Sequence, residues 1–237
     1  MLKITNFTKK YGDTVAVDNL TLEINAGEIY GFIGHNGAGK TTTLKAIVGI
    51  HGFDEGEILV NGISVKDNPI EAKKQLAYIP DNPDLYDYMT GIQYLEFISN
   101  IFGVSTKDRK TKIEKYADML EIKDSLNQDI ATYSHGMKQK LAIIGALVHD
   151  PKLIIMDEPF VGLDPKASFQ LKQVMKEMCE HGTAIFFSTH VLDTAEKLCD
   201  KVAIIKNGKL IRSGTMDEVK GDESLEEAFL DLEKDNA

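Results

Sequence analysis

Gly34-His35-Asn36-Gly37-Ala38-Gly39-Lys40-Thr41 is the stretch that decides the fold, because it completes the pattern G-x-x-x-x-G-K-[ST]. Glycines let a backbone curl until successive N–H groups converge on one anion. A lysine at the seventh place reaches the outer phosphates of a nucleotide, and a hydroxyl at the eighth can ligate Mg²⁺. The flanks agree. Glu28–Ile33 is a short apolar run that reads as a buried strand, and Thr42–Val48 reads as a helix. Strand, loop and helix in that order aim a helix N-terminus at the phosphates, where its dipole favours negative charge.

The 237 residues suit one large domain or a domain with an inserted subdomain, and 43 % apolar residues supply a sizeable core. A net charge of −10 argues against a nucleic-acid groove, which needs an excess of Lys and Arg. A single nucleotide can still bind, since its charge is met locally. The start lacks the basic-then-apolar secretory pattern, and no apolar run reaches the ~18 residues that span a bilayer. The expectation is a cytoplasmic protein whose membrane role, if any, comes through a partner. Cys179 and Cys199 lack metal-binding spacing and are expected to stay reduced and structural.

Asn61-Gly62 joins the runs Glu57–Val60 and Ile63–Val65, and Asn207-Gly208 joins Val202–Ile205 and Lys209–Arg212. Asn-Gly between apolar runs is the strongest short hairpin signal, so antiparallel hairpins are expected to flank the phosphate-loop core. Leu20, Leu22 and Ile24 alternate as in a half-buried strand. Residues 82–147 are helical in pattern: Thr90 and Gln93 form a capping box, and Tyr94, Leu95, Ile98 and Phe102 make a stripe expected to pack in the core. A second amphipathic pattern covers Thr111–Leu120. Leu153–Met156 and Ala184–Phe187 read as central parallel strands, with Pro165–Cys179 as the crossover helix between them. From Asp217 the tail is acidic, with Leu225, Phe229, Leu230 and Leu232 on one face, and is expected to form a short capping helix.

Chemistry clusters at the predicted strand ends. Asp157 follows an apolar strand and can hold Mg²⁺, while the adjacent Glu158 can deprotonate an attacking water. That pair favours hydrolysis over transfer to a second substrate. His190 ends the next strand, where ligands bind in parallel sheets, and could reach the γ-phosphate. Ser134 opens another apolar helix. It is a natural N-cap, and the same helix end could offer its hydroxyl and N–H groups to a phosphate; spacing alone leaves both readings open.

Taken in order, these motifs resemble the nucleotide-binding subunit of an ABC transporter. Gly34–Thr42, with Asn36, Gly37, Ala38, Gly39, Lys40, Thr41 and Thr42, matches the family's phosphate loop, and Ser134-His135-Gly136-Met137 resembles its signature motif. Leu153–Glu158 matches the strand bearing the Mg²⁺-site Asp and the general base, Gly162-Leu163-Asp164 the D-loop, and His190 the switch histidine. Tyr11 stands where the family stacks an aromatic ring on adenine. Asn82-Pro83-Asp84-Leu85-Tyr86 is similar to ATPases of ABC-2-type exporters of the bacitracin-resistance and exoprotein-secretion kind.

The resemblance implies the ABC ATPase fold: an α/β P-loop NTPase core with a mainly parallel sheet, a flanking antiparallel β-subdomain and an inserted helical subdomain at about 82–147. The ATPase domain would run over 1–216 and the acidic tail over 217–237. It implies ATP hydrolysis with ATP, ADP and Mg²⁺ as ligands. Lys40, Glu158 and His190 would be catalytic; Thr41, Asp157 and Asp81 would lie around the metal; Tyr11, Asp81, Ser134, Gly136 and Asp164 would join the phosphate loop in holding nucleotide. Ser134 and Gly136 would face ATP bound by a second copy or a homologous subunit. A separate transmembrane permease would dock after Asp81, near Leu85, Tyr86, Tyr88 and Met89, holding the protein at the inner face of the membrane; the alternative for these residues is packing within the helical subdomain. Three departures stand out. Asp81 replaces the usual Gln or Glu of the Q-loop, and its shorter side chain would reach the metal through a bridging water. His135 replaces the signature's first Gly, and Phe160-Val161 a more polar pair. The rival class, a soluble ABC ATPase acting on ribosome or DNA, would carry two cassettes and a basic linker. A binding module without catalysis would not need Glu158 and His190.

Overall fold

Apolar runs that are buried on both sides must lie inside a covered sheet, and the computed structural model, which describes residues 1–235, places them there. In chain order the elements are β1 Leu2–Tyr11, β2 Thr14–Ile24, β3 Ile29–Ile33, α1 Lys40–Ile47, β4 Glu55–Val60, β5 Ile63–Ser64, α2 Pro69–Gln75, β6 Leu76–Ile79, α3 Gly91–Ile101, α4 Thr106–Met119, α5 His135–Leu147, β7 Leu153–Asp157, α6 Pro165–Glu180, β8 Ala184–Thr189, α7 Leu192–Leu198, β9 Lys201–Lys206, β10 Lys209–Thr215, α8 Met216–Lys220 and α9 Leu225–Asp235. One sheet has the order β10-β9-β3-β8-β7-β6, and the other the order β2-β1-β4-β5.

In the larger sheet β3, β6, β7, β8 and β9 run parallel, and β10 turns back against β9. Register pairs Ile79 with Met156, Asp157 with Ser188, and Ile33 with Thr189. The carboxyl ends of β6, β7, β8 and β3 therefore lie side by side, the edge of a parallel sheet where ligands bind. Both Asn-Gly turns have positive φ at each central residue (Asn61 50°, Gly62 77°; Asn207 49°, Gly208 79°), the backbone that two-residue hairpins require. Only the first of these hairpins belongs to the antiparallel sheet. The second does not flank the core as expected; it forms the edge of the main sheet, because β9 finds a parallel partner in β3.

Strand periodicity sorts the core onto two faces. Ile154, Met156, Ile185, Phe187 and Ile204 point to the side covered by α3 to α7. Ile155, Phe186, Ala203, Ile205 and Phe32 point to α1 and the antiparallel sheet. Phe186 and Phe187 are both fully buried, each contributing about 1.5–3 kcal/mol by its burial. Buried side chains of α3, α4 and α5 belong to the same cluster as the sheet, so the helical stretch shares the core.

The capping box is formed: Gln93 N–H donates to Thr90 Oγ1 at 3.3 Å and Thr90 N–H to Gln93 Oε1 at 2.9 Å. The stripe that follows meets expectation in part: Leu95 lies in the core and Tyr94, half-buried, packs against it. Tyr94, Ile98 and Phe102 line a groove of about 360 Å³. Across it lie Ala142, Gly145 and Ala146 of α5, and the Tyr94 ring sits close on Gly145, where an added methyl would meet it at 3.2 Å. In the tail, Leu225, Ala228 and Phe229 are buried against the main core, so α9 covers it as a capping helix. Leu230, expected on the same face, is exposed. Cys179 and Cys199 are unpaired, and burial pushes the Cys179 thiol up to about 12.

Candidate functional site: a phosphate loop at the strand ends

The loop after β3 is shaped by close backbone approach. A methyl group added at Gly34 would lie 2.4 Å from Ile205 O, and one at Gly39, whose φ is 108°, would lie 2.7 Å from Ala16 O. Neither place admits a side chain. The Ala38 N–H donates to His35 O at 3.1 Å, and Ala38 O accepts from Gly208 N–H at 3.0 Å, so the turn of the β9–β10 hairpin braces the loop from behind. Ala38 is buried and spends its amide within the loop. It lies outside the cavity lining, with its amide bonded within the loop.

A cavity of about 250 Å³ brings together Asn36, Gly37, Gly39, Lys40, Thr41, Thr42, Asp81, Asp157 and Glu158, with Ala16 and His35 added to the expected set. Lys40 starts α1 and is 6 % exposed. Its Nζ donates to Gly34 O at 2.6 Å and His35 O at 3.2 Å and lies 3.9 Å from Glu158 Oε1. Burial pulls the Lys40 pKa below its ordinary value, opposed by the Glu158 and Asp157 carboxylates. An ammonium so placed gains from an anion brought within reach.

Asp157 ends β7 and is almost completely buried. Glu158 follows with a φ of 47°, a left-handed conformation uncommon outside glycine. That bend turns its carboxylate back over the cavity, where Oε1 lies 2.9 Å from His190 Nδ1. Ser188, on the neighbouring strand, holds both residues. Its Oγ donates to Asp157 Oδ1, and its Oγ and O accept from the Glu158 N–H at 3.1 and 3.2 Å. Sequence reading passed over Ser188 as part of the approach to His190; the one signal was a hydroxyl at the end of a strand otherwise buried and apolar.

The remaining expected residues stand outside the cavity lining. His190 reaches it only through Glu158. Tyr11 is half exposed, edge-on to His51, with the Lys9 ammonium over its ring. Ser134 is exposed and caps α5 by accepting from Met137 N–H at 3.3 Å. Gly136 sits against Gly162, where an added methyl would meet Gly162 O at 3.0 Å. Asp164 caps α6 by accepting from Ala167 N–H at 2.8 Å, a bond that, with Lys140 nearby, holds its carboxyl below the usual range. Signature and D-loop residues are thus neighbours of one another, on a surface apart from their own chain's phosphate loop.

Residues 17–161 match the ABC transporter family model. The ABC-type transporter ATP-binding protein EcsA of Bacillus subtilis is 34 % identical over 242 residues, covering 100 % of this chain and 98 % of EcsA. The solved ATP-binding subunit of an ABC transporter superposes with a TM-score of 0.95 at 34 % identity, covering 98 % of this chain and 99 % of its own. The ATP-binding cassette MJ0796, solved as a dimer in a post-hydrolysis state with ADP and Pi, gives a TM-score of 0.82 at 26 % identity over 91 % of this chain and 99 % of that one.

Proposed function

The chain belongs to the ABC transporter family as an ATP-binding, ATP-hydrolysing subunit, and on that premise we propose that its cavity is one half of a hydrolytic site completed by a second copy of the chain or a homologous ATPase subunit. One observation carries this. Lys40, Asp157 and Glu158 converge in one cavity, while Ser134, Gly136 and Asp164 stand outside its lining. A head-to-tail pair would set the exposed α5 N-terminus of one molecule, with its dipole and the Ser134 hydroxyl, over the triphosphate held by the other.

Each residue then has work that follows from its placement. Free N–H groups of the loop from Gly37 to Thr42, Ala38 excepted, hold the phosphates, and Lys40 offsets charge that develops in the transition state. Thr41 and Asp157 present hard oxygen donors to one cavity, the donor set that suits Mg²⁺, and Asp81 lines the same cavity. Mg²⁺ bound there would neutralise phosphate charge. Glu158 accepts the proton of the attacking water, and His190 orients the Glu158 carboxylate through Nδ1, leaving Nε2 for the γ-phosphate.

Hydrolysis would drive a separate permease, with an exporter favoured by the 33 % identity over 215 residues to the linearmycin resistance ATP-binding protein LnrL of Bacillus subtilis. No helix among the described residues is long and apolar enough to cross a membrane, so the subunit would sit at the inner face through its partner. Tyr86 and Tyr88, exposed beside the groove of Tyr94 and Ile98, form an aromatic surface for that contact. Sedimentation of Glu158→Gln with and without ATP tests the composite site: dimers with ATP are expected, and monomers in both conditions would overturn it.

A further inference from the structure

We propose that Ser188 is a positioning residue that locks the metal-side carboxylate Asp157 and the base Glu158 into one unit. The inference rests on the site proposed above. Ser188 is fully buried at the penultimate position of β8, opposite Asp157 in the register. A buried hydroxyl needs both a donor and an acceptor partner, and Ser188 has each in a catalytic residue: it donates to Asp157 Oδ1 and accepts from Glu158 N–H at 3.1 Å. The first bond occupies one oxygen of Asp157, which fixes the carboxylate's plane and leaves the other oxygen for the cavity. The second holds the peptide at the point where Glu158 takes its φ of 47°. That backbone conformation persists only where its surroundings enforce it. One hydroxyl thereby joins the two residues, donating to the Asp157 carboxylate and, together with the Ser188 carbonyl, accepting from the Glu158 N–H.

The hydroxyl, and not the side-chain volume, does the positioning. Three variants separate the two. Ser188→Ala removes the group, Ser188→Cys keeps the size with a weak donor, and Ser188→Thr keeps the hydroxyl. Steady-state ATPase kinetics should show kcat reduced about 10–100-fold in the Ala and Cys proteins, the usual cost of losing the partner of a ligating carboxylate. The Mg²⁺ concentration for half-maximal rate should rise with it, while the Kd for ATP measured without Mg²⁺ stays within about twofold, because the loop amides and Lys40 are untouched. Thr should restore both kcat and Mg²⁺ dependence. Parental kcat and Mg²⁺ dependence in Ser188→Ala, or rescue by Cys as complete as by Thr, would overturn the assignment. Should Ser188→Ala fail to fold, the Cys and Thr pair decides alone. Glu158→Gln, assayed in parallel, separates this inference from the site it rests on. An inactive Glu158→Gln beside a parental Ser188→Ala removes only the role of Ser188; an active Glu158→Gln removes the base assignment itself.

Discussion

Replacing Glu158 by Gln tests the site at the point where hydrolysis and binding part. The amide is nearly isosteric, and Oε1 can still accept from a protonated His190 Nδ1 2.9 Å away. What disappears is the negative charge and the ability to take a proton from water. Loss of a positioned general base costs about 10²–10⁴-fold in rate, or roughly 3–5 kcal/mol of transition-state stabilisation. Binding should move the other way. Glu158 Oε1 lies 3.9 Å from Lys40 Nζ, a separation worth about 4 kcal/mol of gross attraction at an effective dielectric near 20. A triphosphate must compete with that carboxylate for the ammonium, so removing the charge leaves ATP affinity equal or tighter. Phosphate release gives the rate, and the rise in melting temperature with added ATP gives the affinity. The expected variant is at least about 100-fold slower and is stabilised by ATP as much as the parent or more. A variant within about threefold of the parental rate would show that another group activates the water.

Other outcomes follow from particular contacts. Phe229→Ala opens a hole where α9 meets the core and the ring faces His35 at 5.2 Å, so urea unfolding should register a loss of about 3–5 kcal/mol; a loss under ~1 kcal/mol would mean α9 is loosely held. Glu in place of both Tyr86 and Tyr88, 44 % and 78 % exposed, should leave basal ATPase activity near parental and abolish co-purification with the permease; intact co-purification would move the docking surface elsewhere. Lys40 gives a pH signature. Its folded-state pKa lies below the ordinary 10.5, so its charged form is disfavoured on folding and the unfolded chain holds the proton more firmly. The cost is present in full below the lowered pKa and is relieved as pH rises toward 10.5. Thermal melts at about pH 8 and about pH 10 should therefore shift in the parent's favour relative to Lys40→Met, and a constant difference would show a well-hydrated ammonium.

What the sequence disclosed and what it withheld divide along a physical line. The phosphate loop, both Asn-Gly turns and the Thr90 capping box were legible because each depends on backbone conformation within a few residues, where glycine, asparagine and short hydroxyl side chains have special preferences. The strand ends at Asp157 and His190 were legible because apolar runs mark where a buried strand stops. Features that need two distant segments in register were not. Ser188 acquires its meaning only when β7 and β8 align Asp157 opposite it. The groove that Tyr94, Ile98 and Phe102 line takes its other wall from Ala142, Gly145 and Ala146 of α5. That the second Asn-Gly hairpin joins the main sheet rests on β9 pairing with β3, more than 150 positions earlier in the chain.

Ser134 and Asp164 show why spacing could not settle the remaining question. Each is an N-cap whose side-chain oxygen accepts a bond from its own helix, and a cap of this kind is enough to account for either residue in a lone molecule. Their placement adds what the local pattern lacks. Both are well exposed, and Gly136 beside them is packed against the D-loop at Gly162, whereas the cavity that gathers Lys40, Asp157 and Glu158 contains none of them. An exposed helix N-terminus leaves N–H groups pointing to solvent, where an anion held on another molecule can meet them. One chain gathers Lys40, Asp157 and Glu158 in a single cavity, and the donors at the exposed N-terminus of α5, outside that cavity's lining, are the reason to seek the second half of the proposed site on a partner.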